Sequence, residues 1–283
     1  MSIPVSNIGL NQKTRVQEYF VDTIQHIHVN EHLTENRIST KVKKEYIEKD
    51  DFGHLLRFDI TYREQTNLNG MLAVEDWLSV LFKKLILYLD DQGKIKSIVN
   101  LKEIKQDWYE QKDAFKKEFK FEINKINPFL EALDITLDNQ KDFIQIIEKS
   151  DIATLLLPPI YNQELLLEKP VIEQKNYDNF FGNNDVPLNI DTSLLAYNEV
   201  TNGHQIFRTG EIDYVYVDLN GIKDFFRKNY NNQSLPAKLD VAYLEAIDLD
   251  QYHDVDIATL MMGIEIKNLY QFRQISKTKK INS

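Results

Sequence analysis

Glu245, Asp248, Asp250, Asp254 and Asp256, with His253 among them, are the densest collection of possible metal ligands in the chain. Carboxylate oxygens suit calcium or magnesium, so Glu245, Asp248, Asp250 and His253 are the candidate metal residues. A divalent cation is the one cofactor these residues suggest. Yet the order Asp-Leu-Asp-Gln-Tyr-His-Asp-Val-Asp lacks the turn glycine and terminal bidentate glutamate of an EF-hand loop. A solvated acidic connection between strands is the competing reading. His26, His28 and His32 form a second cluster, but no fixed pattern supplies a further ligand. Glu211 and Asp213 offer carboxylates for acid–base work without the set separation that such work needs.

Other chemistries drop out. The chain has no cysteine, which excludes disulfides, thiolate metal sites and a cysteine nucleophile. No Gly-x-Ser-x-Gly elbow is present, and Gly182, Gly203, Gly210 and Gly221 belong to turns, not to a Walker or dinucleotide fingerprint. The remaining candidate is aromatic. Tyr177, Phe180, Phe181 and Asn183 fall in a turn-rich stretch from Asn176 to Pro187, read as a surface loop able to offer rigid contact area to a partner. The same phenylalanines could instead pin that loop onto the core.

The elements that must position these residues follow from periodicity. Leu56, Phe58, Ile60 and Tyr62 alternate with Arg57, Asp59, Thr61 and Arg63, the period of a sheet with one buried face. Three strands are expected over Arg15 to Val29, Arg37 to Glu48 and Leu55 to Arg63. An amphipathic helix should follow Asn69-Gly70, then a hairpin turning at Asp90 to Gly93. Asn100 and Glu103 form a capping-box variant for a helix whose stripe carries Leu101, Ile104, Trp108, Phe115 and Phe119. Trp108 is expected to anchor the core. Asn127-Pro128 should open a further helix, Asp138 should restart one, and Pro158-Pro159 should end the helical middle.

Beyond that stop, Thr201-Asn202-Gly203 marks a hairpin, and Ile212 to Val217 reads as a central strand because both its faces are apolar. Lys238 to Leu249 and Ile257 to Phe272 favour strands, while Lys277, Lys279 and Lys280 read as a frayed basic tail. The expected class is α+β: a curved antiparallel sheet, or sheets, packed on a central group of helices in two strand-rich halves. Residues 1–160 would form an α+β region and 161–283 a β-rich region.

The 283 residues carry a net charge of −10, which disfavours a broad grip on phosphate backbones, so nucleic acid is not an expected partner. No signal segment or apolar span is evident, which makes the cytoplasm the default location without membrane insertion. Two readings follow. The first is a non-catalytic binding or assembly protein using a sheet groove, a strand edge or the aromatic loop, with a protein or small apolar ligand as partner. The second is a hydrolase dependent on carboxylates or a divalent metal.

Overall fold

A computed structural model of the chain describes residues 5–10, 15–29, 31–120, 123–161, 164–166, 170–181, 184–198, 203–230, 239–266 and 269–282. Its strands and helices run in the order β1 (Val5–Asn7), β2 (Val16–Val29), β3 (His32–Lys49), β4 (His54–Gln65), α1 (Met71–Leu78), β5 (Lys84–Leu89), β6 (Ile95–Ile98), α2 (Leu101–Glu118), α3 (Ile123–Asp138), α4 (Gln140–Glu148) and α5 (Asp151–Leu156). The second part contributes β7 (Glu164–Leu166), β8 (Val171–Phe181), β9 (Asn184–Asn198), β10 (Gly203–Ile212), α6 (Leu219–Tyr230), β11 (Asp240–Leu249), β12 (Val255–Ile266) and β13 (Tyr270–Asn282). The protein is rich in antiparallel sheet. Eleven strands are ordered β6-β5-β4-β3-β2-β13-β12-β11-β10-β9-β8, and β1 pairs with β7 in a separate ribbon. Packing divides the chain into two compact units: 1–8, 22–37 and 163–278 form one, and 9–21, 38–162 and 279–283 the other.

In the second of these units the expected alternation is realised residue by residue. Val42, Lys44 and Tyr46 of β3, Leu56 and Phe58 of β4, and Leu85, Leu87 and Leu89 of β5 are all buried, as period two requires of one sheet face. Lys44 is tolerated there because its Nζ donates to the carbonyl of Leu156 at 3.2 Å. That carbonyl ends α5, where the helix dipole favours a cation. The β5–β6 turn has the expected chemistry: Gly93 takes φ 79° and its amide donates to the carbonyl of Asp90 at 2.9 Å.

Among the helices, Trp108 is fully buried. Its indole Nε1 donates to Asp134 Oδ1 at 2.7 Å, so the polar edge of a large core residue is satisfied by α3. Burial alone would raise the Asp134 carboxyl, but the hydrogen bonds from Lys112 and Trp108 outweigh it and hold its pKa below the ordinary range. Phe115 packs edge-on against Trp77 at 4.8 Å between ring centroids. Asn139 caps α4 by accepting from the amide of Lys141 at 3.1 Å, and Ser150 caps α5 by accepting from Ala153 at 3.2 Å.

Two helix starts differ from expectation. Asn100 precedes α2 but makes no side-chain cap. Its amide instead accepts from Ile86 N and donates to the carbonyl of Lys84, both at 2.9 Å. A buried side chain that can both give and receive is worth more to two strand groups than to one helix amide that water can reach. Asn127-Pro128 does not open α3, which begins at Ile123 and carries Pro128 inside it. One backbone hydrogen bond is forfeited there.

The expected basic tail is a strand, the end of β13. Ser276 and Thr278 of β13 are buried, so the alternation of small hydroxyls with Lys277 and Lys279 is a sheet pattern written in polar residues. The Ser276 hydroxyl is accommodated by a side-chain ladder, which does not extend to the buried Thr278 Oγ1. Thr23 Oγ1 donates to Ser276 Oγ at 3.0 Å, Gln274 Nε2 donates to Ser276 Oγ at 3.0 Å, and Gln25 Nε2 donates to Gln274 Oε1 at 3.2 Å. The expected strand over Ile212 to Val217 ends at Ile212. Asp213 turns the chain by accepting from Val215 N at 3.0 Å, an Asx turn that leaves Tyr214, Val215 and Tyr216 exposed.

Candidate functional site

Of the stretch read as a loop from Asn176 to Pro187, the described residues 176–181 and 184–187 belong to two paired strands. β8 runs antiparallel to β9 in unbroken register from Val171 opposite Thr192 to Tyr177 opposite Val186. The aromatic content that suggested a contact loop also satisfies a strand. Among the described strands β8 has β9 as its sole neighbour and so lies at the sheet's end. The opposite end, β6, has four residues and α4 lies against it. A long strand with a single neighbour among the described strands is a template for further strand pairing.

A charged cluster fastens β8 to the strands behind it. Arg208 on β10 stands opposite Thr192 on β9 and Glu245 on β11. Its Nε donates to Thr192 Oγ1 at 3.0 Å, Nη1 to Glu245 Oε2 at 2.5 Å, and Nη2 to Glu173 on β8. Tyr243 donates its hydroxyl to the other oxygen of Glu245 and accepts from Lys175 Nζ at 2.9 Å. Arg208 and Glu245 are buried to 1% and 3% side-chain exposure, whereas Glu173 and Lys175 retain 31% and 28%. The buried core of the network therefore surfaces at the edge strand. Burial pulls the Lys175 ammonium below the ordinary lysine range and Arg208 adds to this, while Glu245 and Glu173 oppose it. Two cations face two carboxylates, so the cluster is charge-balanced, as burial demands.

The aromatic candidates separate. Tyr177 faces this cluster, with its ring 6.3 Å from that of Tyr243 and Lys175 Nζ 5.3 Å from its centroid. Phe181 is a core residue, 1% exposed, packed on Phe226 and Tyr270 at 5.3 Å each. Phe180 is half-buried and meets Phe272 at 5.4 Å. Asn183 lies outside the described residues.

The four metal candidates are not brought together. Glu245 is engaged by Arg208 and Tyr243. Asp248 lies an odd number of residues along the same strand and so points to the opposite face. Asp250 accepts from the amides of Tyr252 at 2.8 Å and Asp254 at 3.1 Å, which makes it a residue of the β11–β12 turn. His253, at φ 63°, stacks edge-on with His204 at 5.1 Å. Among the described residues no three histidine, aspartate or glutamate side chains gather as a metal site would require. His26 pairs with Glu35 at 3.2 Å.

Sequence reasoning missed the exposed turn Tyr214, Val215 and Tyr216, at 48%, 83% and 70% exposure. The signal was present in Asp213, whose carboxylate is placed to turn the chain, but apolar residues on both sides outweighed it. This turn is tied to the edge strand: Gln174 Nε2 on β8 donates to Asp213 Oδ2 at 3.4 Å. Ile172, on the same face of β8 as Gln174, is 68% exposed.

No protein-family model matches the sequence, and no curated protein matches it. Three solved structures are matched, each with a TM-score below 0.5. A lipovitellin structure described for its lipid–protein interactions has 9% identity and a TM-score of 0.49; the match covers 96% of this chain and 25% of that one, so this chain spans a quarter of its length. DynF from the dynemicin biosynthesis pathway of Micromonospora chersina has 6% identity and a TM-score of 0.21, covering 98% and 85%. A DUF1329 family protein from Desulfovibrio piger ATCC 29098 has 8% identity and a TM-score of 0.22, covering 94% and 86%. Among the described residues no helix is long and apolar enough to cross a membrane.

Proposed function

We propose that this chain is a non-catalytic binding and assembly protein that engages a protein partner by strand addition along β8, with Ile172, Tyr177 and the Tyr214–Tyr216 turn supplying side-chain contacts. One observation carries the reading: an eleven-residue edge strand lies beside large, exposed apolar residues. Outward-turned backbone amides and carbonyls give such an edge affinity for an extended segment, and alternate side chains give it selectivity. Tyrosine is a residue type that interfaces favour, because it combines large contact area with a polar tip. The proposal retains the expected architecture of a curved sheet on central helices in two strand-rich halves, 1–160 and 161–283.

The test is the native mass of the protein isolated gently from its host, with and without chelator, joined to amide hydrogen exchange across β8. A stoichiometric companion chain that slows exchange at residues 171–177 supports strand addition. A retained apolar molecule with β8 unprotected would move the function to the sheet face. A divalent ion released by chelator would revive the hydrolase reading.

A further inference from the structure

Building on that reading of the edge, we infer that the strand added to β8 is the β8 of a second copy of this chain, paired antiparallel about a two-fold axis centred on Gln174. In a sheet edge, every second residue turns its amide and carbonyl outward. Two identical strands meeting antiparallel form hydrogen bonds only if outward-turned residues face outward-turned residues. The axis must then pass through a residue and not between two.

Charge selects which residue. An axis at Glu173 sets two glutamates against each other, and one at Lys175 sets two lysines against each other; like charges directly opposite destabilise a pair. An axis at Asn176 runs the pairing into the irregular segment between Tyr177 and Phe181 and onto the buried Phe181. An axis at Gln174 places Glu173 opposite Lys175 of the second copy, twice by symmetry, on the face where both side chains retain partial exposure. It also places Val171 opposite Tyr177 and Ile172 opposite Asn176. All seven residues lie in the regular part of β8. Such a contact is isologous and closed, so it yields a dimer and not a filament. The Tyr214–Tyr216 turn, tied to the axis residue through the Gln174–Asp213 bond, offers apolar surface beside the joint.

The absence of cysteine from the chain makes the test clean. Purified recombinant protein examined by light scattering should show twice the 33.3 kDa chain mass. Gln174→Cys should cross-link to itself under mild oxidation. Ile172→Cys and Asn176→Cys should each resist cross-linking alone and should join when mixed. Gln174→Lys should weaken dimerisation by roughly up to fivefold with an unchanged melting temperature. A monomeric mass at every concentration overturns the inference, as does a dimer that Gln174→Cys fails to trap. If the pure chain is monomeric while a different companion from the host protects β8, strand addition stands and the second copy is wrong. If β8 is unprotected in both preparations, both fail.

Discussion

Arg208 and Glu245 face each other across β10 and β11, joined by a hydrogen bond of 2.5 Å between two side chains that are almost entirely buried. Leu188, Ile190, Ile206 and Ile247 are buried on the same face as the pair. Its cost in desolvation is offset only while each charge keeps its partner. Arg208 also reaches Glu173, so the same guanidinium couples the buried sheet to the edge strand proposed to receive a partner.

Arg208→Met should therefore destabilise the protein by about 3 kcal/mol, because buried Glu245 loses its hydrogen-bonded guanidinium and keeps the more distant cation Lys175 at 3.8 Å. Adding Glu245→Gln should recover part of that loss. Urea unfolding of the single and double variants measures both, and strictly additive losses would contradict the coupling.

Trp108→Ala should cost about 3–5 kcal/mol through cavity formation. Trp108→Phe should cost less, while still forfeiting the indole bond to Asp134. A denaturant melt near that of the parent protein would remove Trp108 from the core.

Asn100 separates two roles in one experiment. If it were a helix cap, Asn100→Asp would be well tolerated, since aspartate caps as well as asparagine. Because its amide also donates to the carbonyl of Lys84, Asn100→Asp should lose about 1–3 kcal/mol. Equal stability of the two proteins in urea would restore the capping role.

His204 predicts an acid-side loss of stability. Burial first, and the neighbouring His253 second, hold its pKa below the ordinary imidazole value. The unfolded chain thus takes up a proton near pH 6.5 that the folded chain refuses until lower pH. This contribution is fully present above the unfolded pKa and declines as pH falls from there to the depressed folded value. His204→Phe, which keeps a ring beside Tyr197 and His253, should flatten that part of the stability–pH curve. An unchanged slope in urea midpoints between pH 7 and pH 5 would show that His204 does not carry it.

Much of the fold was legible because strand and helix periodicity are local. The alternation in Arg15 to Val29, Arg37 to Glu48 and Leu55 to Arg63 yielded β2, β3 and β4 within a few residues. The stripe through Trp108 and Phe115 yielded the buried face of α2. The candidate site was less legible, because charge and aromaticity do not say which way a side chain points. Tyr177 and Phe181 lie four residues apart in sequence, yet one faces the polar cluster and the other the aromatic core. Asp248 and Glu245 looked like co-ligands until the strand's period sent them to opposite faces.

The sequence by itself determined an acidic chain without cysteine, its antiparallel alternation and its amphipathic helices, because each depends on residue types a few positions apart. Only the tertiary structure decided that Ser276 is buried against the distant Thr23, that Asn100 serves two strand groups instead of a helix end, and that Arg208 finds both Glu245 and Glu173. It likewise decided that β8 is an edge. Those outcomes depend on which strand lies next to which, a choice made by pairings between segments far apart in the chain, where hydrogen-bond satisfaction and burial over the whole sheet outweigh any local preference.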